Sequence, residues 1–246
     1  MKTYKKKYKS NLDHGQKLWK RANATILGGN SLLSKNPNLF LPNKWPNYFS
    51  RSKGCKVWDL NNKQYTDMSL MGVGTNFLGY SNKEVDNAVR KVIEKGNLTT
   101  LNCPEEVYLA EKLLNMHSWA KKVKFARTGG EANAIAIRIA RSVGGKKNVA
   151  FCGYHGWHDW YIGTTSRNLG VPEVVTNLTG TFVYNDADSL KKLISTDPNN
   201  FAAVILEPVG VIPLEPGFLE KVRKICDEFG TVLIFDEVVT GFRASP

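Results

Sequence analysis

Val232-Leu-Ile-Phe-Asp236-Glu237-Val238 runs four apolar residues straight into a carboxylate. A short, wholly apolar run reads as a strand buried on both faces, as in the interior of a parallel sheet. Asp236 then stands at the carboxyl end of that strand, where open α/β sheets place their ligands. A buried acid needs a cation or a hydrogen-bond donor to offset its desolvation. The rest of the sequence has to supply that partner.

Upstream of Val232, strands and helices alternate. The periodicity predicts strand Val123–Arg127, helix Glu131–Arg141 stopped by Gly144-Gly145, and strand Asn148–Cys152. Strand Thr181–Tyr184, a helix near Asp188–Ile194, strand Ala202–Leu206, helix Gly217–Phe229 and strand Thr231–Phe235 follow. Short turns between alternating elements argue an α/β fold: a mostly parallel sheet with helices on both faces.

Before residue 122 the pattern differs. Residues 1–30 read as a mobile basic arm followed by a short helix around Gly15–Ala24, and residues 31–60, rich in Asn, Pro and Ser, read as loops. Apolar runs flanking Asn61-Asn62 predict a hairpin within Val57–Met68. Ser81-Asn-Lys-Glu84 has the form of a capping box, opening a helix with Val85, Ala88, Val89, Val92 and Ile93 on one face and Gly96 at its end. Pro104 opens another, with Val107, Ala110, Leu113 and Leu114 on one face.

Composition narrows the function. With 42% hydrophobic and 11% aromatic residues, the 246-residue chain is globular. No apolar run approaches the ~20 residues that span a bilayer, and no apolar segment follows the N-terminal lysines as a secretory signal would require. The net charge of +12 invites a nucleic-acid reading, but residues 1–21 hold eight cations against one acid, a local balance of +7. The excess is largely a solvated tail, and no nucleic-acid module follows it. Cys55, Cys103, Cys152 and Cys226 form no close pairs, which points to a reduced, cytoplasmic setting.

Four features gather at the carboxyl ends of the expected strands. Thr128-Gly129-Gly130-Glu131 joins a strand to a helix, and its free N–H groups suit an anion such as phosphate. It is not a Walker loop: Gly145-Lys146 is followed by Lys147, with Ala140 at the first glycine position, which sets aside an ATPase reading of Val232–Glu237. Gly72-Val-Gly74 lacks the third glycine of a dinucleotide fingerprint. Gly153-Tyr154-His155-Gly156-Trp157-His158-Asp159-Trp160 offers an aromatic face to a planar ligand, or His and Asp to a metal, though with no third ligand cluster. Glu207-Pro208-Val209 ends another apolar strand. Together these describe a planar, phosphorylated, cationic ligand, in which Asp236 meets a ring N–H⁺.

That ligand matches pyridoxal phosphate, and the chain resembles the class III aminotransferases, enzymes of fold type I. The resemblance covers roughly residues 20–246 and rests on Ala126-Arg-Thr-Gly-Gly-Glu-Ala132, Gly153-Tyr-His-Gly156, Glu207-Pro-Val209 and Phe235-Asp-Glu-Val-Val-Thr-Gly-Phe-Arg243. The last favours the glutamate-1-semialdehyde 2,1-aminomutase branch. It implies that Thr128, Gly129 and Gly130 hold the phosphate, Tyr154 stacks on the pyridine ring beside His155, and Asp236 pairs with the ring nitrogen. Val238 would pack under the ring and Glu207 would support the hydrogen bonds around Asp236. Residues 1–60 would then form the arm and the start of a small domain, and 61–246 an incomplete cofactor-binding large domain, ending before the C-terminal domain.

The resemblance further implies a homodimer acting on a small amino donor and acceptor, with no nucleic acid, membrane or metal. Gly130 departs from the family pattern, which usually has Ser or Thr there. The Schiff-base lysine of the family is expected beyond Pro246, so no catalytic residue is expected in this chain, which is expected to be inactive alone. Three readings stay open: an aminotransferase, the aminomutase, which moves an amino group within one molecule, and a non-catalytic remnant.

Overall fold

The computed structural model describes residues 13–69 and 71–243, so the basic arm falls largely outside the described residues. Chain contacts divide the protein into two compact units, 1–102 and 103–246.

The first unit opens with helix α1, His14–Thr25, capped by Asp13, whose side chain accepts from the backbone N–H of Gln16. Three strands follow, β1 (Phe49–Lys53), β2 (Lys56–Asp59) and β3 (Gln64–Thr66), forming an antiparallel sheet in that order. The hairpin expected about Asn61-Asn62 is the β2–β3 turn, with Asn62 at φ 62°. β1 lies in the stretch expected to be loops: its Phe49-Ser-Arg-Ser-Lys53 has little apolar signal, and pairing to β2 makes it a strand. Helix α2, Lys83–Lys95, corrects the expected capping box. Asn82 is the cap, accepting from the N–H groups of Glu84 and Val85. Ser81 has φ 52° and donates its hydroxyl to the Ser52 carbonyl. A left-handed Ser81 cannot also serve as the extended cap residue.

The second unit carries the parallel sheet. Helix α3 (Pro104–Met116) has proline in its first turn, as expected. Residues 121–126 follow without joining a ladder, which corrects the strand expected at Val123–Arg127. Alternation of Val123 and Phe125 with lysines gave that segment a strand pattern, but no neighbouring strand among the described residues takes its backbone bonds.

Helix α4, Gly129–Gly144, then leads to β4, Asn148–Cys152. Two short helices, α5 (Asp159–Ile162) and α6 (Glu173–Thr176), precede β5, Thr179–Thr181, which begins two residues earlier than the sequence pattern suggested. Helix α7 (Ala187–Ile194), β6 (Phe201–Leu206), α8 (Phe218–Glu228) and β7 (Val232–Phe235) complete the unit. Sheet order is β5-β4-β6-β7, with every pairing parallel.

Strand alternation sends side chains into two cores. Ala150, Cys152, Val204 and Leu206 meet α7 and α8 on one face, while Val149, Phe151, Ala203 and Ile205 meet α4 and α5 on the other. All six residues of β6 are buried, the signature of a central parallel strand. β7 is different. Its Val232 and Phe235 are exposed, and one of its edges has no partner strand among the described residues. The run that opened the sequence reading is therefore an edge here, not a strand buried on both faces.

Candidate functional site

Register positions the site. Cys152 lies opposite Leu206, and Leu206 opposite Phe235, so three neighbouring strands end level. The next residues, Gly153, Glu207 and Asp236, therefore stand side by side at the carboxyl rim. The chain passes from β4 to β5 on one side and to β6 on the other, so strand order reverses at β4. Ligands of open α/β sheets sit outside the carboxyl ends at such a reversal.

Asp236 is buried there. Its Oδ2 accepts from Asn133 Nδ2 at 2.7 Å and faces His155 Nδ1 at 2.8 Å, while Oδ1 accepts from the Val238 N–H at 3.1 Å. His155 Nε2 lies 3.0 Å from the Cys152 carbonyl, which can only accept, so Nε2 carries a proton. Burial pushes the Asp236 carboxyl up, but the bonds from His155, the Val238 N–H and Asn133 outweigh it and hold the group below its ordinary range. An ionised carboxylate has about four acceptor sites, and three are taken. One remains for a cationic N–H.

Asn133 was not singled out from the sequence. Its signal is an amide on the otherwise apolar stretch Ala132-Asn-Ala-Ile-Ala-Ile137, where a buried polar group must find a partner. His155 is caged by Phe151, Trp160 and Tyr161, with Trp160 stacked at 6.1 Å and 22°. That packing, together with the Cys152 bond, fixes the imidazole orientation.

The N-terminus of α4 lies against the same cluster. Thr128 is its cap, accepting from the Glu131 N–H at 3.2 Å, and Glu131 reaches back to the Arg127 N–H at 2.9 Å. A Cβ at Gly129 would come within 2.5 Å of Val238 Cγ2. One at Gly130 would come within 2.8 Å of His158 Nδ1. One at Gly156, itself at φ 100°, would come within 3.1 Å of the Gly130 Cα. The first turn of α4 is thus pressed between Val238 and the loop after β4. Free N–H groups at a helix start, with bare glycine backbone around them, make an anion site.

Glu207 stands beside the Gly153 backbone: a Cβ at Gly153 would lie 3.2 Å from its Oε2. Burial raises the Glu207 carboxyl, and the Asp236 charge raises it further against the opposing pull of His155 and the Tyr154 N–H. Tyr154 is 65% exposed and meets Tyr161 edge-on at 5.7 Å, leaving its ring open to a ligand. Val238 is also exposed. The eight residues singled out from the sequence (Thr128, Gly129, Gly130, Tyr154, His155, Glu207, Asp236 and Val238) come together at one rim. An anion site, a flat aromatic face and a carboxylate with one open acceptor fit a planar ligand that is anionic at one end and cationic at the other.

The family Aminotransferase class-III matches residues 42–245, and the chain belongs to that family. It is 33% identical to a 3-aminobutyryl-CoA aminotransferase from Cloacimonas acidaminovorans over 96% of this chain and 58% of that protein. It is 39% identical to a glutamate-1-semialdehyde 2,1-aminomutase from Hyperthermus butylicus over 81% of this chain and 50% of that protein. Among solved structures, an omega-transaminase from Sphaerobacter thermophilus superposes with a TM-score of 0.82 at 26% identity, covering 95% of this chain and 57% of that one. The FumI protein of Sphingopyxis sp., solved in its PLP internal aldimine form, gives a TM-score of 0.85 at 29% identity, covering 93% and 56%. The chain spans about half the length of the curated relatives it matches. The α/β, fold-type I architecture expected from the sequence is shared with these transaminases.

Proposed function

We propose that this chain is the cofactor-holding part of a pyridoxal-phosphate-dependent aminotransferase, which moves an amino group from a small amino donor to a keto or aldehyde acceptor. The observation that carries the reading is Asp236: a buried carboxylate held ionised by Asn133, His155 and the Val238 N–H, with one acceptor site left. The N–H groups of Gly129 and Gly130 would take the phosphate, with Thr128 shaping the turn. Tyr154 and Val238 would bound the ring on its faces, and Glu207 would buttress Asp236 and the Gly153 backbone.

Bound here, pyridoxal phosphate would supply an electron sink for the negative charge left when a substrate loses its α-proton. Asp236 would keep a proton on a ring nitrogen placed at its open acceptor, since an anion in a poorly solvated site stabilises a cationic partner strongly. His155 would hold Asp236 in place and charged. Asn133 would block rotation of the carboxylate by fixing Oδ2.

Intramolecular transfer is a second reading, favoured by the 39% identity to an aminomutase. A keto-acid requirement separates the two, because a transferase needs a separate acceptor and a mutase does not. We further place the protein in the cytoplasm as a homodimer. Support for self-association is the apolar stripe Val85, Val89 and Ile93 of α2, which stays exposed within its unit. In the full-length protein, Asp236→Ala is expected to cut amino transfer by several orders of magnitude. A variant that keeps a near-normal rate would overturn the assignment of Asp236.

A further inference from the structure

Tyr161 lies outside the residues expected from the sequence, yet it touches the ring that the cofactor reading sets against the ligand. Gly153 at φ 102° and Gly156 at φ 100° turn the chain back on itself after β4. Helix α5 is thereby folded over the Tyr154–His155 segment, and Tyr161 meets Tyr154. The two tyrosine rings stand at 84° with centroids 5.7 Å apart, within the range of a favourable edge-to-face pair.

The two rings differ in freedom. Tyr154 is 65% exposed. Its backbone N–H bonds the Glu207 carboxylate, which fixes the main chain and leaves the ring to its own rotamers. Tyr161 is 7% exposed. Phe151 meets it at 5.2 Å, His155 at 5.7 Å and Trp160 at 5.8 Å. Its carbonyl accepts from the N–H and the hydroxyl of Thr164 at 3.1 and 2.7 Å. A fixed ring thus stands against a mobile one. A side chain that must be ordered when a ligand binds lowers affinity, and one already held lowers it less. His155 keeps Phe151, Trp160 and the Cys152 carbonyl when Tyr161 is changed. Tyr154 has its ring contact with Tyr161.

We propose that Tyr161 is a positioning residue, which sets the ring of Tyr154 for stacking on the ligand ring. The inference rests on the cofactor reading above and extends it to a residue that acts through Tyr154 and not on the ligand itself. The competing account is that Tyr161 only fills the core beneath the loop.

Pyridoxamine 5′-phosphate is the probe, because it cannot form an imine with a lysine. Its affinity for the whole chain is measured by calorimetry, and the seating of its ring by the circular dichroism induced in its pyridine absorption band. Tyr154→Ala is expected to weaken binding about three- to tenfold, the usual worth of one aromatic pair. Tyr161→Leu, which keeps an apolar filling, should weaken it about threefold and reduce the induced signal. Tyr161→Phe, which keeps the ring, should restore both. In the Tyr154→Ala background, Tyr161→Leu should add no further loss, because its effect runs through Tyr154.

If Tyr161→Leu binds the probe as the wild type does, or loses the same factor with and without Tyr154, the inference is overturned and the cofactor reading stands. A loss in Tyr161→Phe as large as in Tyr161→Leu overturns it too, since the ring would then not be the acting part. Where Tyr161→Leu does not fold, proton NMR of the wild type decides. The contact between the Tyr154 and Tyr161 rings should persist in the free and in the bound protein, and its disappearance on binding overturns the inference. Should the wild type not bind the probe, or Tyr154→Ala bind it as tightly as the wild type, the reading that seats the ligand ring on Tyr154 falls, and this inference with it.

Discussion

Asp236→Ala should destabilise the second unit by about 3–5 kcal/mol at pH 7, whatever ligand the site binds. The carboxylate takes three hydrogen bonds: 2.7 Å from Asn133, 2.8 Å from His155 and 3.1 Å from the Val238 N–H. Asn133 and His155 are buried, His155 to 1% exposure, so neither donor can turn to bulk water when the acceptor goes. Each stranded buried donor costs about 1–3 kcal/mol, and removing one partner of a buried ion pair costs about 3–5 kcal/mol. Those two routes describe the same loss, so they bracket it and do not add. Against a typical domain stability of about 5–15 kcal/mol, the change is easily read by urea unfolding followed through tryptophan fluorescence.

The pH dependence tests the cause. The folded Asp236 carboxyl lies below its ordinary 3.8. A depressed acid contributes stability that is fully present above its unfolded value and is lost as pH falls through the folded one. The contribution of the carboxyl itself should therefore be lost as pH falls below about 4, and the gap between wild type and variant should narrow there. A second comparison, with His155→Ala and the double variant, should give a coupling of at least about 1 kcal/mol. A single-variant loss under 1 kcal/mol at pH 7, or a gap that fails to narrow below about pH 4, would refute the argument that Asp236 is charged and paired in the free protein.

Two further expectations have independent readouts. Glu207 titrates in the opposite sense: its folded value is raised above the ordinary 4.5, so its contribution is present below 4.5 and lost as pH rises through the folded value. Glu207→Gln, measured by thermal melts, should match the wild type at acid pH and exceed it by about 0.5–1 kcal/mol near neutrality, where the charge of this partly exposed acid is first desolvated and then repelled by Asp236; equal melts at every pH would remove both effects. Burial pushes the Cys152 thiol up to about 11 and the Cys226 thiol up to about 12, so both should resist iodoacetamide at pH 8 in the folded protein while exposed Cys55 reacts. Cys103 is exposed but bonded to Glu105, which holds its thiol up, and it should react more slowly than Cys55; peptide mass spectrometry that finds Cys226 labelled first would contradict the packing of α8.

The sequence revealed most where one signal had one physical cause. β4 and β6 were legible as apolar runs because both faces are covered, and the alternation of Val149 and Phe151 with Ala150 and Cys152 between two cores follows from the strand period alone. The cap of α2 was misread because Ser81 and Asn82 are both good caps, and only backbone conformation chooses between them. Strand pairing was misread at 123–127, because a strand pattern states what a segment could pair with and not whether a neighbour is there. The same limit applies to β7, whose apolar residues look central in sequence and which has no partner on one edge among the described residues.

The site shows a sharper version of this difference. Thr128, Gly129 and Gly130 point to an anion locally, since free N–H groups at a glycine-bearing helix start suit one, although a plain strand-helix turn reads the same way. Asn133 declares nothing alone, being one amide in an apolar helix. It acquires meaning through Asp236, 103 positions away. Groups that touch a ligand through the backbone are thus readable locally, because the local sequence fixes backbone geometry. Groups that act by holding another side chain become readable only after the fold has set three strand ends level and brought the start of α4 against them. On that account the charge on Asp236 belongs to the cluster, and substitutions at Asn133 or His155 should alter its titration even though neither is acidic.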